Sequence, residues 1–100
     1  MTDPGSGFPP DAVLVAARDQ VSAELEGEAV ILNLADGVYY GLDGVGAMVW
    51  ELLRQPRTAG ELRDAITAGF EVDAATAWRD LSALLGDLSA RKLVELTPGG

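Results

Sequence analysis

The chain contains no cysteine and no histidine among its 100 residues. These two absences exclude disulfides, thiol nucleophiles, Ser–His and Cys–His catalytic pairs and the usual zinc sites. No uninterrupted apolar run reaches the 18 or more residues that a membrane span needs. The acids are dispersed, and the sequence has neither a calcium-binding loop nor a glycine-rich phosphate loop. We therefore expect no metal, no cofactor and no enzymatic activity.

Basic residues are scarce as well. Seven lysines and arginines stand against 16 acids, which gives a net charge of −9. Such a surface repels the phosphates of nucleic acids and anionic membranes, although many soluble cytoplasmic proteins are equally acidic. The first residues lack the basic region of a secretory signal. We expect a cytoplasmic protein without a nucleic-acid or membrane partner.

The length predicts a single domain with one modest core. Residues 1–11 are rich in Gly and Pro and are predicted to form a flexible tail. Residues 12–97 form the predicted domain, and residues 98–100 a short C-terminal tail. Within the domain, the apolar segment 12–17 is compatible with either a short strand or a docking arm.

Three strands are predicted between residues 21 and 42. In residues 21–25 apolar and polar side chains alternate, as in a half-buried strand. Residues 29–34 are rich in β-branched side chains, and residues 38–42 (VYYGL) form a third strand. Glu26-Gly27 and Asp36-Gly37 are turn signals between them. Short strands joined by tight turns predict an antiparallel meander.

Helical periodicity follows the strands. Asp43 is the expected N-cap of a first helix that ends before Pro56. A capping box at Thr58 begins a second helix, and Asp73 caps a third. Residues 93–96 are compatible with a short closing strand. The predicted class is α+β: a three-stranded antiparallel N-terminal sheet followed by three helices, in a winged-helix-like arrangement.

The third helix has two further features. Gly86 interrupts its apolar stripe and predicts a kink or a close approach by another segment. Asp73, Asp80 and Asp87 recur every seven residues and form an acidic stripe. The apolar stripe consists of Ala74, Ala77, Trp78, Leu81, Leu84, Leu85 and Leu88.

The third strand suggests a binding function. It contains no charge and no proline, and in a simple meander it is an edge strand, so its unpaired backbone groups invite β-augmentation by a peptide beside the third helix. Core packing explains its tyrosines and the two tryptophans equally well. Segment 12–17 or a second copy of the protein is an alternative occupant of the edge. A DNA-binding regulator is a further alternative, since the fold resembles a winged helix, but the acidic stripe opposes it.

Residues 28–53 resemble the PqqD-like family, the recognition elements of ribosomally made, post-translationally modified peptide (RiPP) pathways. The likeness covers roughly residues 21–96 and is carried by Leu32-Asn33-Leu34, Asp36-Gly37, Tyr39-Tyr40, Leu42, Gly46 and the block from Val49 to Leu53. The resemblance implies a protein that binds a precursor's leader peptide as an added strand along its third strand and third helix. The peptide-binding residues that it implies are Val38, Tyr39, Tyr40, Gly41, Leu42, Ala74, Ala77, Trp78, Leu81 and Leu85.

The resemblance also implies partner enzymes. A chain of this size without a fused enzyme looks most like the recognition protein of lasso-peptide biosynthesis, which works with a leader protease and an ATP-dependent cyclase. The alternative within the family is a peptide chaperone for a radical-SAM enzyme, as in pyrroloquinoline quinone synthesis.

Overall fold

Two small antiparallel sheets and three helices make up the part of the chain that the structure describes. The structure, a computed structural model, describes residues 10–97, so residues 1–9 and 98–100 of the two predicted tails lie outside the described residues. The α+β prediction is confirmed, and a second sheet is added to it. In chain order the elements are β1 (Val13–Ala16), β2 (Gln20–Leu25), β3 (Glu28–Asn33), β4 (Val38–Leu42), α1 (Gly44–Leu52), β5 (Arg57–Thr58), α2 (Ala59–Phe70), α3 (Ala74–Ala90) and β6 (Val94–Thr97).

The predicted meander is present as a sheet with the strand order β2-β3-β4. Glu26 and Gly27 both have positive φ, 52° and 83°, which is the geometry of a two-residue turn that matches the twist of antiparallel strands. The second turn ends at Gly37, with φ 72°, whose N–H donates to the Asn33 carbonyl at 2.8 Å. Local turn chemistry therefore explains both strand connections.

The 12–17 segment is a strand and not an arm along β4. It forms β1, the central strand of a second sheet with the order β5-β1-β6. Two further backbone hydrogen bonds attach it to the body, from Ala16 N–H to the Leu53 carbonyl and from Ala17 N–H to the Leu93 carbonyl, both at 2.8 Å. The expected closing strand at 93–96 is observed as β6, paired with β1.

Capping side chains begin two of the three helices as predicted. The Thr58 hydroxyl accepts from the Glu61 N–H at 3.1 Å, and the Glu61 carboxylate accepts from the Thr58 N–H at 2.8 Å. Asp73 accepts from the Thr76 N–H at 2.7 Å, and this hydrogen bond lowers the pKa of the Asp73 carboxyl below its ordinary value. Asp43 occupies the N-cap position of α1, but its side chain makes no capping hydrogen bond there.

The core lies between the meander, the helices and the second sheet. Asn33 is the buried polar residue of this core, 5% exposed. Its side-chain N–H donates to the Arg91 carbonyl at 3.1 Å, and its side-chain oxygen accepts from the Ala35 N–H at 2.9 Å. The β3–β4 hairpin is thereby tied to the C-terminal end of α3. The largest fully buried side chains are Trp50, Leu14, Ile31, Leu53, Leu62, Ile66, Leu81, Leu85, Leu88, Leu93 and Val49.

Two expectations need correction. The apolar residues of β2 face solvent, with Val21 58% and Leu25 59% exposed, whereas Ile31 of β3 is buried. Alternation distinguishes the two faces of a strand but does not say which face is covered; here α1 packs on the face of Ile31. In addition, α3 is continuous through Gly86, and a Cβ at this position would meet nothing within 4 Å. No close approach therefore requires a glycine there.

Candidate peptide-binding edge

One edge of the meander is open. β4 pairs with β3 on one side, and within residues 10–97 no strand pairs with its other side. Proteins usually protect such an edge with charged side chains or proline, but β4 has neither. β2 is the opposite edge of the sheet and carries Glu24. The uncharged edge of β4 is therefore better suited to accept another strand.

The register decides which backbone groups of β4 face outward. The two-residue turn makes Glu28 exchange two backbone hydrogen bonds with its β2 partner. The backbone N–H and C=O of successive strand residues point alternately to one neighbouring strand and the other. Those of Glu28 point toward β2, so those of Ile31, three residues later, point toward β4, where Ile31 pairs with Tyr40. The N–H and C=O groups of Tyr39 and Gly41 consequently point to the open edge.

The C-terminal end of α3 borders β4 at Tyr40. The Arg91 guanidinium lies over the Tyr40 ring, 4.6 Å from its centroid, and its Nε donates to the Asp87 carboxylate at 3.2 Å. Tyr40 and Asp87 raise the pKa of Arg91 above its ordinary value, so this arginine stays charged. The Tyr40 hydroxyl donates to the Asp36 carboxylate at 3.5 Å.

An open cleft of about 860 Å³ lies at this junction, which we call the β4 cleft. Its lining is mixed, since backbone turns, charged side chains and one aromatic ring all contribute. Its residues are Ala17, Arg18, Asp19, Asn33, Ala35, Asp36, Tyr40, Ser89, Ala90, Arg91, Lys92, Val94 and Glu95.

The predicted strand residues lie together along this edge. Tyr39 is 68% exposed, and Val38 is also exposed. Tyr40 and Leu42 are half-buried and pack against the core. Gly41 is exposed and surrounded by open space. A peptide can therefore reach the whole length of β4.

The predicted helix residues are distributed differently. Ala77, Leu81 and Leu85 are fully buried in the core, whereas Ala74 is exposed at the start of α3. Trp78 is half-buried, and the Arg63 guanidinium of α2 lies 5.8 Å from its ring centroid.

The helical repeat places Trp78 away from β4. Trp78 precedes Asp87 by nine residues, which is two and a half turns, so the two lie on opposite flanks of α3. The Asp87 flank borders β4, because Arg91 joins Asp87 to Tyr40. The structure therefore does not bring Trp78 together with the residues of β4.

Sequence reasoning missed Arg91 and Asp36 as neighbours of Tyr40. For each of the two residues, the sequence contains a local spacing that could have indicated a role. Asp36 lies in the predicted turn, four residues before Tyr40, and Arg91 follows Asp87 at the spacing of a helical ion pair. Spacing in the sequence does not reveal that the end of α3 contacts the β3–β4 hairpin, because that contact is made by tertiary packing.

The described part of the chain was also searched for other kinds of site. Within residues 10–97, no group of three or more Asp, Glu, Cys or His side chains is placed to hold a metal ion. None of the helices described is long and apolar enough to cross a membrane.

Comparison with known proteins agrees with this architecture, an α+β domain with an open sheet edge beside a helix end. The family model described as coenzyme PQQ synthesis protein D (PqqD) matches residues 28–94. The chain therefore belongs to the PqqD family. A search of curated proteins found no match.

Three solved structures are similar to this chain. TbiB1, solved in complex with the TbiA(beta) leader peptide, is 40% identical, with a TM-score of 0.77 over 81% of this chain and 94% of that one. A lasso peptide synthetase B1, complexed with its leader peptide, is 21% identical, with a TM-score of 0.73 over 82% and 96%. The PqqD truncation of Methylobacterium extorquens PqqCD, described as a stand-alone RiPP recognition element, is 18% identical, with a TM-score of 0.71 over 93% and 99%. The last two likenesses show the fold alone.

Proposed function

We propose that this protein binds the leader peptide of a ribosomally synthesised precursor as a strand added to β4, and delivers it to a leader protease or modifying enzyme of lasso-peptide biosynthesis. The observation that carries the proposal is the open, uncharged edge of β4 with the backbone groups of Tyr39 and Gly41 directed outward. The relative at 40% identity, TbiB1, supports it, because that protein was solved with a leader peptide.

Backbone pairing alone gives weak binding. The N–H and C=O of Tyr39 and Gly41 offer four hydrogen bonds to a guest strand, each with a net contribution of about 1 kcal/mol. A total of about 4 kcal/mol corresponds to a Kd near 1 mM. Side-chain anchors of the leader must therefore supply most of the affinity.

Side chains of successive residues in a strand point to opposite faces of the sheet, and this suggests where the anchors of the leader lie. Side chains on one face of the guest strand would lie beside Tyr40 and Leu42, next to the β4 cleft, and those on the other face beside Tyr39. Arg91, held over Tyr40, would border the first set. From α3, Ala77, Leu81 and Leu85 would support this surface from the core, whereas Ala74 is exposed at the start of the helix and Trp78 lies on its other flank.

Delivery of the peptide, and not catalysis, is the proposed activity, and the cytoplasm is its proposed location. A peptide chaperone for a radical-SAM enzyme would use the same edge of β4. The edge therefore does not distinguish between the two candidate partner enzymes. The family description, coenzyme PQQ synthesis protein D, favours that second candidate, and the 40% identity to TbiB1 favours the first.

Substitution of Gly41 tests the proposal. In Gly41→Pro the N–H that faces the guest is lost, and a proline is tolerated on an edge strand. We expect the TbiA(beta) leader peptide, the leader with which the 40% identical relative was solved, to bind Gly41→Pro at least tenfold more weakly than the wild type in fluorescence anisotropy.

Gly41→Ala is the matched control. It keeps the N–H, and its Cβ meets nothing within 4 Å, so we expect an affinity within about threefold of the wild type. A Gly41→Pro protein with native circular dichroism and wild-type affinity would refute strand addition at β4.

A further inference from the structure

The β4 cleft gathers positive charge in an acidic protein. Of the seven basic residues of the chain, Arg18, Arg91 and Lys92 line this cleft. Arg18 comes from the loop between β1 and β2, and the other two follow the end of α3, so tertiary packing brings them together. All three are exposed to solvent and can reach a guest in the cleft.

Three acids also line the cleft, and one of them is engaged by the hairpin. Asp36 accepts from the Val38 N–H at 2.9 Å and from the Tyr40 hydroxyl at 3.5 Å. The other two acids are Asp19 and Glu95. The lining therefore carries no net charge, whereas the whole chain carries −9. A carboxylate of a guest peptide meets less repulsion in the β4 cleft than over the rest of this acidic surface.

Arg91 is held in an orientation suited to a carboxylate. Its guanidinium lies 4.6 Å from the Tyr40 ring centroid, and its Nε donates to the Asp87 carboxylate at 3.2 Å. Because this ion pair uses Nε, the two Nη groups remain to bind a second acceptor. An arginine that is already oriented loses less side-chain freedom when it binds a carboxylate.

Lys92 places a second cation at a backbone position that favours glycine. It follows the end of α3 with φ 59°, in the left-handed region, where helices commonly end with glycine because a Cβ is strained there. Within residues 10–97 Lys92 forms no ion pair that would offset this strain. Strained residues of this kind cluster at ligand-binding sites, and the lysine lies beside Arg91 in the same lining.

The open edge of β4 does not by itself fix the register of a guest strand. The outward N–H and C=O groups of Tyr39 and Gly41 bind the backbone of any residue, and a shift of two residues along the guest restores the same hydrogen bonds. The β4 cleft lies at one end of this edge, because Tyr40 and the turn before β4 line it. A charge bound in the cleft distinguishes one register from the others.

We propose that Arg91 and Lys92, assisted by Arg18, bind an aspartate or glutamate side chain of the guest peptide and thereby set the register of the strand added to β4. This inference rests on the proposed function and names one determinant of its specificity, a carboxylate beside Tyr40. Backbone pairing along the rest of β4 then tolerates a varied guest sequence.

Two series of the TbiA(beta) leader peptide test this inference, one with glutamate and one with glutamine placed at each position in turn. The two side chains are nearly equal in size, so the comparison isolates the charge. We expect one position at which the glutamate peptide binds the wild type at least fivefold more tightly in fluorescence anisotropy, and this preference should shrink as salt is raised. At the other positions glutamate should bind no more tightly than glutamine, because the protein is acidic.

Variants of the cleft assign the preference to its cations. Arg91→Gln and Lys92→Gly should each reduce the preference for glutamate to less than twofold. Glycine adopts the left-handed conformation without strain, so Lys92→Gly should unfold at the same temperature as the wild type or at a higher one. Arg79→Gln is the matched control, because Arg79 is an exposed cation of the same helix outside the cleft lining; it should keep the preference.

A leader series in which no position prefers glutamate would overturn the inference. A preference that survives in either cleft variant, or that disappears in Arg79→Gln, would overturn it as well. In those cases strand addition would stand, since the glutamine peptides would still bind and Gly41→Pro would still weaken them. Failure of every peptide to bind the wild type would refute the proposed function and the carboxylate site with it.

Discussion

Asn33 shows how one buried polar residue supports the candidate site. Its side chain bonds the Arg91 carbonyl on one side and the Ala35 N–H on the other. It therefore holds the β3–β4 hairpin against the end of α3, where Arg91 stacks on Tyr40. Buried polar groups of this kind are costly when one partner is removed, because the other partner is left without a hydrogen bond.

Replacement of Asn33 by alanine should lower the free energy of unfolding by about 1–3 kcal/mol in urea titration and weaken leader binding. Gln20 is the matched control: it pairs with Asn33 across the sheet, and its side-chain oxygen is buried without a hydrogen-bond partner in the described chain. Gln20→Ala should therefore cost less than Asn33→Ala. Equal losses of stability would contradict the role assigned to the Asn33 hydrogen bonds.

Among the elements, those governed by local chemistry were predictable. The capping box at Thr58, the cap at Asp73 and the turn at Glu26-Gly27 each involve residues within three positions of one another, and the structure confirms them. Segment 12–17 was different. Its partners are β5 and β6, which lie far along the chain, and six consecutive apolar residues do not indicate which distant strand they pair with.

Gly86 gives a prediction at the level of the helix. It is exposed inside α3 with open space around it, so Gly86→Ala should raise the free energy of unfolding by about 0.5–1 kcal/mol. Thermal and urea unfolding measure this gain. Gly37→Ala is the contrasting variant, because Gly37 has φ 72° and alanine is strained there; it should destabilise. A destabilised Gly86→Ala would show that α3 needs the glycine.

At the scale of the whole molecule, the net negative charge determines which classes of partner can bind. α3 is the helix that a winged-helix regulator would place in the major groove, and here it exposes Asp73, Asp80 and Asp87. Of the seven basic residues, three are engaged in ion pairs with neighbouring acids. Little positive charge is left to neutralise phosphates.

We therefore expect no retardation of a labelled DNA duplex at micromolar protein in a gel-shift assay at low salt, where electrostatic binding is strongest. A basic DNA-binding domain of similar size serves as the positive control. Retardation that disappears as salt is raised would contradict this expectation and reopen the regulator hypothesis.

The sequence by itself determined the order of the three meander strands and the three helices, the turns between those strands, the caps at Thr58 and Asp73 and the uncharged character of β4, because each of these depends on residues close together in the chain. It also predicted the family that the comparisons show. Only the tertiary structure decided which face of the meander is covered, that β1 belongs to a second sheet, that Leu81 and Leu85 lie in the core, and that Arg91 meets Tyr40. These features depend on how distant segments pack, and a periodic pattern describes a segment's two faces without stating what lies against either of them.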